Sequence, residues 1–149
     1  MSTAPIVVGT DGSATATRAV ERAGAIANAL GAPLHVVMCC ESHTNAAAMA
    51  ATAGMALTYD GGEQDRADAE RVVSRARQVL AEAGIEASAH VCTGNPAEAL
   101  LAIAEGEHAQ MIVVGNRGMT GARRVLGSVP NSVSHRARCA VLIVPTGGD

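Results

Sequence analysis

Between Gly115 and Ser128 the chain reads Gly-Asn-Arg-Gly-Met-Thr-Gly-Ala-Arg-Arg-Val-Leu-Gly-Ser. An apolar run precedes this stretch and a helical pattern follows it. Residues of these types bind phosphate: glycines let backbone N–H groups approach an anion closely, a helix N-terminus adds unpaired donors and partial positive charge, and Ser128 adds a hydroxyl. The charge distribution agrees. From 108 to 148 there is no Asp or Glu but five arginines, Arg117, Arg123, Arg124, Arg136 and Arg138, whereas residues 1–107 hold six arginines against thirteen acids. A cationic island on a chain of net charge −3 selects anions by its local field.

Other chemistries are excluded or unsupported by residue type. The chain has no lysine, so neither a Walker-type phosphate loop nor a lysine Schiff base is available; the cation that meets an anion is a guanidinium, planar and permanently charged. Ser128 lacks the surroundings of a nucleophile elbow. The five histidines (His35, His43, His90, His108, His135) and four cysteines (Cys39, Cys40, Cys92, Cys139) show no metal-ligand spacing. With Tyr59 as the single aromatic residue, the stacking platforms of nucleic-acid binders and ring-faced carbohydrate sites are absent. The methionines Met38, Met49, Met55 and Met119 are expected as pliable packing.

The elements that must position the loop alternate in type. Ile6-Val7-Val8 is a strand that runs into turn and cap residues at Asp11-Gly12-Ser13, with a helix capped near Ser13. Over residues 14–30, Ala16, Ala19, Val20, Ala23, Ile26, Ala27 and Leu30 recur at helical spacing until Gly31 stops the run. Residues 34–40 are a second strand. Residues 41–62 have no clean period and are expected as a long connection with at most a marginal helix. A helix is predicted over 63–83, with Val72, Val73, Ala76, Val79 and Leu80 on one face, and Gly84 ends it. Alternation over 86–92 suits a half-exposed edge strand. Pro96 behind Asn95 opens a helix that ends at 105. The continuous apolar run 111–114 suits a strand covered on both faces, and a helix over about 128–138 and a strand over 140–144 close the chain. Strands separated by helices predict a parallel sheet with right-handed crossovers, a three-layer α/β domain spanning residues 1–149. Ligands of such folds bind beyond the carboxyl ends of the strands, where strand order reverses. Asp11 and the stretch from Gly115 to Gly118 both belong to that rim.

At 149 residues and 48% hydrophobic content the chain is large enough to bury an aliphatic core without staples. It shows no signal-sequence pattern and no apolar run near the roughly 20 residues of a membrane span, so no membrane association and a cytoplasmic location are expected. The cysteines fit that compartment as reduced, buried small hydrophobes. Adjacent in a strand, Cys39 and Cys40 point to opposite faces.

Taken in order, Ile6-Val7-Val8-Gly9-Thr10-Asp11-Gly12-Ser13, Val113-Val114-Gly115-Asn116-Arg117-Gly118, Leu126-Gly127-Ser128-Val129 and Val141-Leu142-Ile143-Val144-Pro145 resemble the universal stress protein family, over nearly the whole chain. The resemblance implies a doubly wound, Rossmann-like five-stranded parallel sheet of order 3-2-1-4-5. For the nucleotide-binding branch it implies an ATP site with the motif Gly-x-x-Gly, a nine-residue spacer, and Gly-Ser or Gly-Thr. Carried over, Gly115, Gly118, Gly127 and Ser128 hold phosphates and ribose, flanked by Arg117, Val114 and Val129. Asp11, after Gly9 and Thr10, meets the ribose or a phosphate-bound Mg²⁺, and Met38 and Cys39 line the adenine pocket. The chain departs from the pattern in its spacer, which from Met119 to Leu126 is eight residues. That leaves ATP and cyclic AMP both open, since relatives resembling this chain include binders of each. The resemblance also implies a homodimer through antiparallel pairing of the last strand, Val141, Leu142, Ile143 and Val144, which would otherwise be an exposed edge.

The expectation is therefore a stress-linked sensor or regulator that binds an adenine nucleotide, with at most weak ATP hydrolysis involving Asp11 and Arg123 or Arg124. Phosphoryl transfer needs positioning, a metal and an oriented nucleophile, and the motif supplies only the first. The alternative from another class is a protein-interaction module with a degenerate pocket, presenting residues 43–60 to an unidentified protein partner. Nucleic acid is not expected as a partner.

Overall fold

The computed structural model describes residues 2–40, 61–116 and 126–145. In chain order the elements are β1 (Ile6–Thr10), α1 (Ala14–Leu30), β2 (Leu34–Cys40), α2 (Gly61–Glu82), β3 (Ala87–Thr93), α3 (Pro96–Gly106), β4 (Met111–Gly115), α4 (Ser128–Arg136) and β5 (Ala140–Val144). The five strands form one parallel sheet of order β3-β2-β1-β4-β5. Strand order reverses at β1, whose two neighbours are β2 and β4.

Alternation along the strands divides the core in two. Ile6, Val8, Leu34, Val36 and Val113 meet Ala19, Val20, Ala23 and Ala27 of α1 and Val73 and Leu80 of α2. On the other face Val7, Val37, Ile112 and Val114 meet Ala97, Leu100 and Ala104 of α3 and Val133 of α4. Small residues bring α1 and α2 close: a Cβ on Gly24 would stand 2.5 Å from Leu80 Cδ2.

The helix boundaries follow their signals. Ser13 caps α1, its hydroxyl accepting from Ala16 N at 3.1 Å, and Gly31, left-handed at φ 62°, ends it. Asn95 caps α3 by accepting from Glu98 N, with Pro96 in the first turn. Three expectations need correction. Leu30 is 48% exposed: it is the last residue of α1, where the stripe has already turned past the core, and buried Gly24 takes part in the helix contact instead. α4 stops at Arg136 because Ala137 is extended. The four cysteines are half-buried and outside any disulfide: Cys39 and Cys40 end β2 at the rim of the sheet, and Cys92 is in the edge strand β3. Residues 41–60 lie outside the described residues, whereas 61–62 already belong to α2.

His35 Nδ1, near the start of β2, and His90 Nε2, at the middle of β3, share a hydrogen bond of 2.8 Å. His35 Nε2 is 3.8 Å from a Glu107 carboxylate oxygen. Burial, and then His35, hold the His90 imidazole below its ordinary pKa. Arg136 grips the Glu98 carboxylate through both terminal nitrogens, joining the end of α4 to the start of α3.

Candidate functional site

A cavity of about 240 Å³ opens at the carboxyl end of the sheet, over the reversal point between β1 and β4. Its apolar side is Val37, Pro96, Leu100 and Val114; its polar side is Thr10, Asp11, Ser13, Thr15 and Ser128 together with the backbone of Gly9, Gly115 and Gly127. Gly9 is needed for close packing here, because a Cβ would stand 3.0 Å from Leu100 Cδ1 in the cavity wall.

The turn from β1 into α1 is held by its own side chains. Thr10 Oγ1 accepts from Gly12 N at 3.2 Å, and Asp11 Oδ1 accepts from Ser13 N at 3.0 Å. The Ser13 and Thr15 hydroxyls lie 2.9 Å apart. Gly12 occupies the left-handed region at φ 81°, where a Cβ would also stand 2.8 Å from Val72 Cγ2. Asp11 is thus presented to the cavity by a pre-formed loop and is not the α1 cap.

The start of α4 is built differently. Its N-cap is Gly127, with no side-chain capping bond, and Pro130 in the first turn has no N–H. Ser128 and Val129, in the first turn of α4, line the cavity, and the first N–H groups of a helix carry partial positive charge. Glu98 is the acid in the first turn of α3, while the first turn of α4 has none. Asn116, a buried polar residue directly after β4, donates its backbone N–H to Val144 O at 2.9 Å, so the ladder with β5 continues into the start of the glycine-rich loop.

Of the residues singled out in the sequence, Gly9, Thr10, Asp11, Cys39, Val114, Gly115, Gly127, Ser128 and Val129 line this one cavity. Met38 does not: it packs with the α1 and α2 core, because strand alternation sends it away from the face that Cys39 shares with Val37. Arg117, Gly118, Arg123 and Arg124 lie outside the described residues. Sequence reasoning missed Ser13, Thr15, Ala16, Val37, Pro96, Leu100 and Pro130 as lining residues; the signals for two of them were legible, since Pro96 starts the helix after β3 and Val37 is two residues before Cys39. Cys40 faces the other way, its Sγ 3.5 Å from Asp65 O, and burial and then the Asp65 carboxylate raise its pKa. Among the described residues no group of three or more His, Cys, Asp or Glu side chains could hold a metal ion.

The model of the Universal stress protein family matches residues 3–145. The chain belongs to the universal stress protein family. Within it, Universal stress protein Rv1636 of Mycobacterium tuberculosis is 36% identical over 143 residues, 95% of each chain. A universal stress protein solved in complex with cAMP is 31% identical and superposes with a TM-score of 0.71, covering 99% of this chain and 100% of that one. The universal stress protein from Archaeoglobus fulgidus in complex with dAMP has the same fold, with a TM-score of 0.71 at 24% identity over 97% of this chain and 99% of that one.

Proposed function

We propose that this universal stress protein binds an adenine nucleotide at the β1–β4 cavity and serves as a stress-linked sensor or regulator. The observation that carries the reading is the start of α4 at the cavity: Gly127, Ser128 and Val129 line it, with an apolar wall on one side and the Asp11 carboxylate on the other, and among the described residues no side chain caps this helix. The base rests against Val37, Cys39, Pro96 and Leu100; Asp11 accepts from ribose hydroxyls or holds Mg²⁺ on the phosphates. Gly115, Gly127, Ser128 and Val129 receive the phosphate; the family resemblance assigns Arg117 and Gly118 to it as well, and these two lie outside the described residues. These donor types suit either ATP or cyclic AMP. ATP is the first expectation from the motif, while the eight-residue spacer and the similarity to a protein solved with cAMP at 31% identity favour the cyclic nucleotide as the second.

Asp11 is the single carboxylate among the described residues lining the cavity, and its Oδ1 is engaged by Ser13 N. A general base over the scissile phosphate is therefore not provided by these residues, and binding rather than turnover is the activity proposed. Calorimetric titration of nucleotide-free protein with ATP and with cyclic AMP, each with and without Mg²⁺, separates the cases. Saturable binding of either supports the site, binding of neither refutes it, and ATP turnover above roughly 1 s⁻¹ overturns the sensor reading. A homodimer through β5 is part of the proposal. That strand is the sheet edge beside β4, with Val141, Leu142 and Ile143 half-buried, and charged replacements of Val141 and Ile143 should yield a monomer in sedimentation experiments. Among the described residues no helix is long and apolar enough to cross a membrane.

A further inference from the structure

Cys39 of β2 and Cys92 of β3 are direct register partners in parallel strands. Cys39 lines the cavity, and Cys92 packs with the α3 and α4 core, so both side chains project from the same face of the sheet. Neighbouring strands lie about 4.8 Å apart, inside the roughly 4.4–6.8 Å between Cα atoms that a disulfide spans. Both cysteines are half-buried thiols outside any disulfide. Cys39 Sγ lies 3.1 Å from Gly94 O, to which its S–H donates, at the turn that leads into Pro96. β3 is an edge strand of the sheet, and among the described residues its strand partner is β2.

We infer that Cys39 and Cys92 form a reversible dithiol switch in the wall of the nucleotide cavity, closed by a hydroperoxide and opened by a thiol reductant. One thiolate attacks the peroxide and becomes a sulfenic acid, with water (or an alcohol, from an organic hydroperoxide) leaving. The second thiol then displaces the hydroxyl as another water, so two thiols and one hydrogen peroxide give one disulfide and two waters. Parallel register holds the two Cβ atoms close to the full strand spacing, wider than the roughly 3.8 Å usual in disulfides. The bond is therefore strained, and strained disulfides are the readily reduced ones. Closing it turns Cys39 Sγ away from Gly94 O and reshapes the wall that Cys39 and Pro96 share.

The effect on ligand rests on the nucleotide-site reading; formation of the bond does not. In full-length protein carrying Cys40→Ser and Cys139→Ser, hydrogen peroxide should remove both remaining thiols and lower the intact mass by two hydrogens. Peptide mapping should find Cys39 joined to Cys92, and dithiothreitol should reverse the change. Titration with cyclic AMP and ATP should give affinity about tenfold weaker in the oxidised form, and saturating nucleotide should slow oxidation, as reciprocal coupling requires. Adding Cys92→Ser should leave affinity the same before and after peroxide. Peroxide treatment that yields sulfinic acid without a Cys39–Cys92 link, or a linked protein that binds as tightly as the reduced one, overturns the switch. If the bond forms but neither redox form binds an adenine nucleotide, the site reading and the switch's control of it fail together, while the peptide map still reports the dithiol chemistry.

Discussion

Two strand-to-helix junctions face the cavity, and they differ in what occupies the first N–H groups of the helix. After β1, Asp11, Thr10 and Ser13 satisfy the turn internally, and Ser13 caps α1. At α4 the helix begins behind Gly127, which has no side chain to cap with, and Ser128 and Val129 of its first turn line the cavity. The first junction is held by side-chain bonds, whereas the second uses glycine as its cap residue, at a cost of only roughly a few tenths of a kcal/mol relative to the Ser and Asn caps of α1 and α3. In the proposed reading the first N–H groups of α4 serve a phosphate.

The largest expected effect comes from making the second junction resemble the first. Gly127→Asp supplies a side-chain cap and a negative charge, so thermal or denaturant unfolding should show α4 stabilised by roughly a few tenths of a kcal/mol. Nucleotide affinity measured by titration should fall about a hundredfold, ~2.7 kcal/mol; retained affinity would mean that the phosphate does not use these donors. Next in size is Gly12→Ala, which demands a positive φ of a side-chain residue and brings a Cβ against Val72. It should destabilise the fold by about 1–3 kcal/mol in denaturant titration and impair binding only by misplacing Asp11. Ser13→Ala should cost about 1 kcal/mol of stability and leave affinity within about threefold once the protein is folded, since the hydroxyl serves the helix.

How far the two junctions were legible in the sequence depends on the range of the interactions that define them. Ser13, Gly31, Asn95 and Pro96 act on backbone within a few residues, and their roles follow from residue type. Gly127 and Ser128 were equally legible as the start of a helix, and they line the cavity. The misjudged residues depend on partners distant in the chain. Leu30 fits a helical stripe, but whether the stripe is covered depends on α2, and the close packing at Gly24 is defined by Leu80 and Ile85. Met38 was paired with Cys39 by proximity in the chain, although adjacent strand residues cannot line one face. Leu100 enters the cavity only because α3 folds back over β1.

The smallest expected effect tests whether the cavity is independent of the His35–His90 pair, although His90 is the register partner of Val37 in the cavity wall. Because the folded state holds the His90 pKa below the ordinary 6.5, the unfolded chain takes up the proton first. Stability is therefore full above about pH 6.5 and declines as pH falls from there through the lower folded value. Denaturant midpoints measured from pH 8 to pH 5 should show the loss, and His90→Gln should flatten this contribution. Nucleotide affinity of the folded protein should not follow the His90 titration; if it does, the histidine pair and the cavity communicate through β2.

The hydrogen bond from Asn116 N to Val144 O gives the molecule a natural spectroscopic reporter. The donor is the first residue after β4 and the acceptor is the last residue of β5, so this amide joins the mouth of the glycine-rich loop to the outer strand. Its exchange with deuterated solvent requires that bond to open. A single resonance thus registers loosening of the loop's root and of the sheet's outer edge.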